Sequence, residues 1–175
     1  MLVCRSIPQN RCKKMKNLLI ASDNFLPRWD GTARFLYELI PKLKKHFNIS
    51  IIAPDYTEGK PLEYFKDIPI KLLKLHHWKF GDYRPAKFYP YTIAKAVKKA
   101  DIVFIQALSS VGMMAVICAK IFRKPIIAYA HSVEWELIDK SIARTNIVRA
   151  IAAPLAISTN IGLYNRVNTI LVAGE

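Results

Sequence analysis

The chain has 175 residues, 52% of them apolar, and a formal net charge of +14 at pH 7. A chain of this length supports one hydrophobic core, so we expect one domain. It contains no run of 18 apolar residues free of polar interruption, which argues against a membrane span, and its cysteines show no disulfide or zinc spacing: Cys4, Cys12 and Cys118. These features predict an intracellular, cytoplasmic protein.

Part of the positive charge lies in a basic leader, residues 1–14, which contains no acidic residue. The leader lacks the apolar core that a secretory signal requires. Met15 directly precedes the first predicted strand, so we interpret residues 1–14 as a disordered arm or an over-extended start, and residues 15–175 as the domain. The remaining charge indicates an anionic partner, which is nucleic acid, an anionic membrane surface or a phosphorylated substrate.

The first predicted strand, Leu18–Ala21, leads through a polar loop into an amphipathic helix that begins at Gly31. Asp30 is a suitable N-cap for this helix. The first turn of a helix has unpaired N–H groups and positive dipole charge, so a glycine there lets a phosphate approach the backbone closely. We therefore expect chemistry near Gly31, although a glycine that only relieves a tight turn has the same signature.

The apolar residues of this helix predict one buried face, formed by Leu36, Leu39, Ile40, Leu43 and Phe47. Pro41 should kink the helix or shorten its end. Further apolar runs predict strands at Ile49–Ala53, Ile68–Leu75, Ile102–Gln106, Pro125–Ala130 and Thr169–Ala173, and helical spacing predicts helices at Tyr91–Lys99, Ser110–Phe122 and Ile142–Ala156. This alternation indicates an α/β, Rossmann-like doubly wound parallel sheet of six or seven strands with helices on both faces.

Polar residues follow three of these strands. Asp23 comes after the first strand, Gln106 ends the fourth, and His131 and Glu134 come after the fifth. The carboxyl ends of parallel strands meet at one edge of a sheet, so we expect these side chains to line one crevice. Glu136 lies two residues beyond Glu134, and side chains at that spacing do not face each other on a helix, which argues against a two-carboxylate hydrolase.

In the order and spacing of these elements, the chain resembles the N-terminal domain of GT-B fold glycosyltransferases of family 4, which are retaining enzymes that use sugar nucleotides. The segments that carry the resemblance are Phe25–Pro27 with Asp30–Arg34, Ile51–Pro54, Ala100–Ile105, Pro125–Glu134 and Asn168–Ala173. The resemblance implies a nucleotide-diphosphate sugar donor and a lipid or glycan acceptor, with a lipid-linked acceptor favoured. No metal is implied, because the chain has no Asp-x-Asp, and no other cofactor is expected.

The resemblance also implies roles for single residues. His131 is the expected catalytic residue, which contacts the transferred sugar or shields charge at its anomeric carbon; a histidine bonded to its own loop is the alternative. Arg34 suits a diphosphate or an acidic acceptor, and a solvated surface charge is the alternative. The expected substrate-binding set is Asp30, Gly31, Arg34, Gln106, Glu134 and Asp23.

The chain departs from the family pattern at two places. The second glycine that is common in the loop is Thr32 here, and no two glutamates have the Glu-x7-Glu spacing of the family's donor domain. We therefore expect the C-terminal donor domain to be absent and the isolated chain to be inactive. A non-catalytic Rossmann-like module that binds an anionic partner or membrane surface is the second hypothesis.

The segment Lys71–Tyr91 mixes basic and aromatic residues, including Trp78, Phe80 and Tyr83. Such a mixture suits docking on the anionic inner face of the cell membrane. The alternative is a core strand followed by a loop whose aromatic side chains pack inward. Single-stranded nucleic acid ranks third, because no nucleic-acid motif accompanies the segment, and we expect no nucleic-acid partner.

Overall fold

The computed structural model describes residues 14–60, 62–78, 83–130, 158–159 and 161–172. The elements in chain order are β1 (Lys16–Ala21), α1 (Gly31–Leu43), β2 (Phe47–Pro54), β3 (Ile70–Leu73), α2 (Pro90–Lys99), β4 (Ile102–Ile105), α3 (Ser110–Ile121), β5 (Ile126–Ala130) and β6 (Thr169–Val172). Each strand coincides with one of the apolar runs, and the central strands β1 and β4 have mainly buried side chains, as strands covered on both faces do.

The strands form one sheet in the order β3-β2-β1-β4-β5-β6, and all neighbouring strands are parallel. In sheets of this order, ligands bind outside the carboxyl ends of the strands, at the point where the order reverses. Here that switch point lies between β1 and β4, whose register pairs Ala21 with Ile105. The α/β fold class predicted from the sequence is confirmed.

Alternate residues of the central strand β1 supply two core layers. On one face, Leu18 and Ile20 pack in the same layer as the buried side of α1, which is formed by Ala33, Leu36 and Ile40. On the other face, Leu19 and Ala21 pack with residues of α2 and α3. Full burial of a Leu or Ile side chain contributes about 1.5–3 kcal/mol, so both layers hold the carboxyl end of β1 in place.

One expectation from the helical spacing is wrong. Phe47 does not continue the buried face of α1, because α1 ends at Leu43 and Phe47 begins β2, where it pairs with Lys16. A turn in which the His46 N–H donates to the Leu43 carbonyl separates the two elements. Phe47 still packs against the α1 layer, so the spacing predicted its burial but not its element. The helix predicted at Ile142–Ala156 lies outside the described residues.

Candidate functional site

The loop after β1 ends in the cap that starts α1. Asp30 has an extended backbone (φ −127°, ψ 179°), and its Oδ1 accepts a hydrogen bond from the Ala33 N–H at 2.9 Å. The prediction of Asp30 as the N-cap is confirmed. Gly31, the first residue of the helix, is exposed, and a Cβ at this position would meet nothing within 4 Å. The first turn of α1 is therefore open to an approaching ligand.

A guanidinium group lies beside this cap. Arg28 Nε is 3.2 Å from Asp30 Oδ2, and Arg28 Cζ lies 5.5 Å from the centre of the Tyr56 ring, which follows β2. The Tyr56 hydroxyl donates to the Arg84 carbonyl at 2.9 Å. Burial raises the pKa of Tyr56, and Arg28 partly opposes that rise. Three loops thus meet at the carboxyl edge.

Arg34 lies one turn into α1, on its exposed side. Its side chain is 69% exposed, and its Nε pairs with Glu38 Oε1 at 3.2 Å. An exposed pair at this spacing is worth only a few tenths of a kcal/mol. Contact between Arg34 and a substrate stays a prediction.

The helix α3 begins at the same edge, and its first turn is closed by a carboxylate. Asp23, two residues beyond β1, is only 1% exposed. Its Oδ1 accepts hydrogen bonds from the Val111 N–H at 2.8 Å and the Ser110 hydroxyl at 2.9 Å, and its Oδ2 accepts one from the Gly112 N–H at 2.9 Å. The Tyr83 hydroxyl donates to Oδ1 at 3.3 Å. Asp23 therefore occupies N–H groups that would otherwise attract an anion.

We call Asp23, Tyr83, Ser109 and Ser110 the Asp23 cluster. Ser109 Oγ lies 2.5 Å from the Tyr83 hydroxyl oxygen, and Ser110 Oγ accepts a hydrogen bond from the Ala86 N–H at 3.1 Å. Burial raises the pKa of Asp23, and the donated hydrogen bonds oppose that rise. Burial and the nearby Asp23 carboxyl raise the pKa of Tyr83, so its hydroxyl keeps its proton at neutral pH. The cluster joins β1, α3 and the segment around Ala86.

Gly112 allows the first turn of α3 to pack closely against the Ala107 carbonyl and the Asp23 side chain. A Cβ on Gly112 would lie 1.7 Å from the Ala107 carbonyl oxygen and 3.2 Å from Asp23 Oδ2. A real Cβ cannot stand so near a backbone oxygen, so the packing requires glycine. The sterically constrained glycine of this edge is therefore Gly112, whereas Gly31 has open space around it.

Gln106 links the two halves of the switch point. It is 1% exposed, its Oε1 lies 3.1 Å from the Ser22 hydroxyl oxygen, and its Nε2 donates to the Thr32 carbonyl at 3.4 Å. These contacts connect the end of β4 to the loop after β1 and to the first turn of α1. Buried amides in such contacts fix the relative positions of loops.

The structure brings Asp23, Gln106, Asp30 and Gly31 to one edge, as the sequence pattern predicts. His131 and Glu134 lie outside the described residues, and substrate contact by any of these residues stays a prediction. Sequence reasoning gave no role at this edge to four of its residues: Tyr83, which it placed in the basic and aromatic segment, and Ser109, Ser110 and Gly112. A detectable signal exists for the serines, because Ser109-Ser110 stands between an apolar strand and an apolar helix, where helix caps are typical.

In the part of the chain that the structure describes, no three His, Cys, Asp or Glu side chains are grouped so as to hold a metal ion. Within those same residues, every helix is too short or too polar to cross a membrane.

The aromatic side chains of residues 71–91 divide between inside and outside. Tyr83 belongs to the Asp23 cluster and Tyr89 packs against the layer of α2 and α3, whereas 41%, 75% and 78% of the surface is exposed in Trp78, Phe88 and Tyr91. Asp82 is the one acidic residue between positions 68 and 100 of the sequence, and exposed lysines lie along the same stretch: Lys71, Lys74, Lys87, Lys95, Lys98 and Lys99. We call the three rings and six lysines the basic aromatic face. Phe80 lies outside the described residues.

The family described as Glycosyltransferase Family 4 matches residues 29–172 of the chain. No curated protein matches it. Among solved structures, the crystal structure of Acinetobacter baumannii MurG is similar, with a TM-score of 0.51 and 14% sequence identity, over 91% of this chain and 42% of the MurG chain. At that identity the similarity concerns the fold alone. The chain thus spans less than half the length of this solved structure.

Proposed function

This chain belongs to glycosyltransferase family 4 and has the fold of one half of a GT-B architecture, and we propose that it is the acceptor-side domain of a retaining glycosyltransferase that uses a nucleotide-diphosphate sugar. The observation that carries the proposal is the family match, which extends from Trp29, just before α1, to Val172 at the end of β6. It includes the first turns of α1 and α3 and the buried Gln106 between them.

The carboxylates at the N-termini of α1 and α3 support a donor site outside this domain. A diphosphate needs helix N-termini or cations to offset its negative charge. Asp23 occupies the N-terminus of α3, and Asp30 occupies the Ala33 N–H of α1. Two carboxylates at these positions disfavour a diphosphate held by this domain alone. We therefore assign the acceptor to this domain and most of the donor pocket to a second Rossmann-like domain, on a longer form of the protein or on a partner chain.

In this proposal the residues of the edge have separate roles. Gly31 admits substrate to the open first turn of α1, and Arg34 and Glu134 contact the acceptor or the leaving group. His131 shields the charge that develops at the anomeric carbon. Asp23 and Gln106, both buried, act mainly by fixing the loops that carry the other groups.

The activity test compares the chain alone with the chain supplied with a donor domain. Residues 1–175 should release no UDP or GDP from UDP-glucose or GDP-mannose in the presence of a glycan or lipid-linked acceptor. Co-expression with a domain that carries Glu-x7-Glu should restore transfer, and the product anomeric centre, read by proton NMR, should keep the donor configuration. Turnover by the chain alone would contradict the assignment of the donor pocket to a second domain. A product with the inverted anomeric configuration would contradict a retaining reaction.

The role of His131 is tested in the assembled enzyme. His131→Ala should lower kcat by about a hundredfold or more, the usual effect of removing a group that stabilises developing charge. His46→Ala is a suitable control, because His46 is exposed in the turn before β2, at the opposite edge of the sheet. Equal activity of the two variants would exclude His131 from the reaction.

A lipid-linked acceptor is supported by the basic aromatic face. Lys71, Lys95, Lys99 and Tyr91 line an open groove of about 520 Å³ between β3 and α2. Lipid phosphates suit such a groove, and exposed rings such as Phe88 favour the interfacial region of a bilayer. We propose that this face holds the domain on an anionic membrane surface beside its acceptor.

The membrane test uses vesicles of phosphatidylglycerol and of phosphatidylcholine. Each lysine near an anionic surface contributes about 1 kcal/mol, which salt screens, so glutamine at Lys74, Lys87, Lys95 and Lys99 should abolish most binding to phosphatidylglycerol. A control with the same change of charge replaces exposed lysines elsewhere: Lys42, Lys45, Lys66 and Lys120. Equal loss in both variants would mean that net charge alone, and not this face, causes the binding. Membrane binding without transfer in any assembly would favour the non-catalytic module instead.

A further inference from the structure

A second group of exposed aromatic side chains lies along α1, away from the basic aromatic face. Trp29, Tyr37 and Tyr64 are 58%, 41% and 40% exposed. The Trp29 and Tyr37 rings meet edge to face with centroids 5.6 Å apart, and the Tyr37 and Tyr64 rings do so at 5.9 Å with an interplanar angle of 88°. We call these three residues the aromatic platform.

Two further aromatic rings, the partly buried Phe65 and the buried Phe25, support the platform from below. Tyr37 also contacts Phe65, with centroids 5.9 Å apart, and Phe65 contacts the buried Phe25 at 6.4 Å. The exposed rings are therefore the outer part of a packed aromatic column, and their orientation is fixed before any ligand arrives. A fixed platform avoids the entropy cost of ordering side chains on binding.

Two ion pairs lie beside the aromatic platform, and each joins a planar guanidinium group to a carboxylate. Arg28 pairs with Asp30 at 3.2 Å on the loop that carries Trp29, and Arg34 pairs with Glu38 at 3.2 Å on the turns around Tyr37. Each pair offers N–H donors next to carboxylate acceptors, with no net charge. This differs from the basic aromatic face, which six exposed lysines and three aromatic rings form.

These features select one class of ligand. A pyranose ring has an apolar face of C–H groups and a rim of hydroxyls that both donate and accept hydrogen bonds. The apolar face suits an exposed ring such as Trp29, and the hydroxyls suit the guanidinium and carboxylate groups beside it. A phosphate or an anionic bilayer would instead require unneutralised cations.

We propose that the aromatic platform binds a saccharide, with a sugar ring stacked on Trp29 and in contact with the inclined ring of Tyr37, and with its hydroxyls bonded to the Arg28–Asp30 and Arg34–Glu38 pairs. Its place next to the open first turn of α1 makes this saccharide part of the acceptor, a step that rests on the proposed function. The acceptor then has a glycan portion that reaches along α1, whatever anchors it at the other end.

The test measures binding, not transfer, on the full chain. The probes are the methyl glycosides of glucose, galactose, mannose and N-acetylglucosamine at millimolar concentration, observed by saturation-transfer difference NMR. At least one glycoside should show saturation of its ring C–H protons. Trp29→Ala should reduce that signal by about fivefold to tenfold, the effect of losing one stacked ring, and Tyr37→Ala should reduce it similarly.

The controls separate stacking from folding and from general aromatic exposure. Tyr37→Phe keeps the ring and should keep the signal, and Trp78→Ala removes an exposed tryptophan of the basic aromatic face and should leave it unchanged. The melting temperatures of Trp29→Ala, Tyr37→Phe and Trp78→Ala should match the parent, since these changes keep the contact between the ring at position 37 and Phe65.

Absence of saturation for all four glycosides would overturn the proposal, as would equal signals from Trp29→Ala and the parent. A loss in Trp78→Ala as large as that in Trp29→Ala would also overturn it. Transfer activity plays no part in these measurements, so a failure of the proposed enzyme function would leave a positive result standing.

Discussion

Two helices begin at the carboxyl edge of this sheet, and their first turns are built in opposite ways. α1 starts with an exposed glycine in open space, and its cap Asp30 comes from the adjoining loop. α3 starts against a buried carboxylate, Asp23, which lies 88 positions before Val111 in the chain. The comparison shows that the same local feature, a helix N-terminus, is left open in one place and joins distant elements in the other.

The largest expected effect on stability is at Gly112, and it distinguishes this glycine from Gly31. Gly112→Ala puts a Cβ against the Ala107 carbonyl, so we expect a loss of at least about 3 kcal/mol in the free energy of unfolding, from forced backbone shifts. Urea denaturation followed by circular dichroism measures it. Gly162→Ala is the control, because its Cβ would meet only the Arg166 side chain, at an ordinary 3.5 Å. A Gly112→Ala protein as stable as the parent would show that α3 does not need this close approach.

Removing the carboxylate of α3 should have the next largest effect. Asp23→Ala leaves the Val111 and Gly112 N–H groups buried without an acceptor, which should cost about 2–3 kcal/mol. Asp101→Ala is a matched control, since Asp101 is exposed and its Oδ2 accepts one backbone hydrogen bond, from Asn17. That control should lose less than about 1 kcal/mol. Similar losses in both variants would remove the special role of Asp23.

The same carboxyl gives a pH dependence with a defined sign. The folded-state pKa of Asp23 lies above its ordinary value of about 4, so the folded protein holds the proton more tightly than the unfolded chain. The stability that Asp23 contributes should therefore fall as pH rises from about 4 toward the folded pKa. The difference in unfolding free energy between the parent and Asp23→Ala, measured from pH 4 to pH 8, should shrink with pH. A difference that grows with pH would contradict the raised pKa.

A smaller effect is expected at the cap of α1. Asp30→Ala removes one cap hydrogen bond and the pair with Arg28, at a cost of about 1 kcal/mol. Asp30→Asn keeps a capping oxygen and should recover most of that loss. If asparagine restores nothing, the pair with Arg28, and not the cap, is what stabilises the first turn.

The smallest change in stability is expected at Gly31, where it should be a gain. Gly31→Ala fits the open space and lowers the entropy of the unfolded chain, so it should stabilise the protein by about 0.5 kcal/mol. If substrate approaches this backbone, the same variant should raise KM or lower kcat in the assembled enzyme. A stabilised variant with parental kinetics would leave Gly31 as a feature of the turn only.

The fold was predictable because it depends on a pattern that the chain repeats. Runs such as Leu18–Ala21 and Ile102–Ile105 are apolar on both faces, and only a covered parallel sheet accommodates them. The cap Asp30 was predictable for the same reason, since capping is local in sequence. Phe47 was misplaced because helical spacing alone cannot locate where a helix ends.

The contacts between Asp23 and the N-terminus of α3 could not be predicted from local sequence patterns. The contacts of Asp23 join residues that are 60 to 89 positions apart in the chain, and no local pattern encodes such a distance. Gly112 reads as an ordinary small residue inside an apolar helix, and only the position of the Ala107 carbonyl shows why it must be small. The sequence thus indicates which edge of the sheet carries the polar residues. It does not indicate that Asp23 occupies the N-terminus of α3.

The long separation within the Asp23 cluster bears on the order in which the molecule folds. β1, α1 and β2 are neighbours in sequence and form early contacts at low loop-closure cost, whereas Asp23 reaches α3 only by closing a loop of 88 positions. The cluster is therefore expected to form after the nucleus, so that its loss speeds unfolding and leaves the folding rate nearly unchanged. The Asp23 cluster is therefore expected to contribute little to the rate of folding, but to lengthen the lifetime of the folded edge.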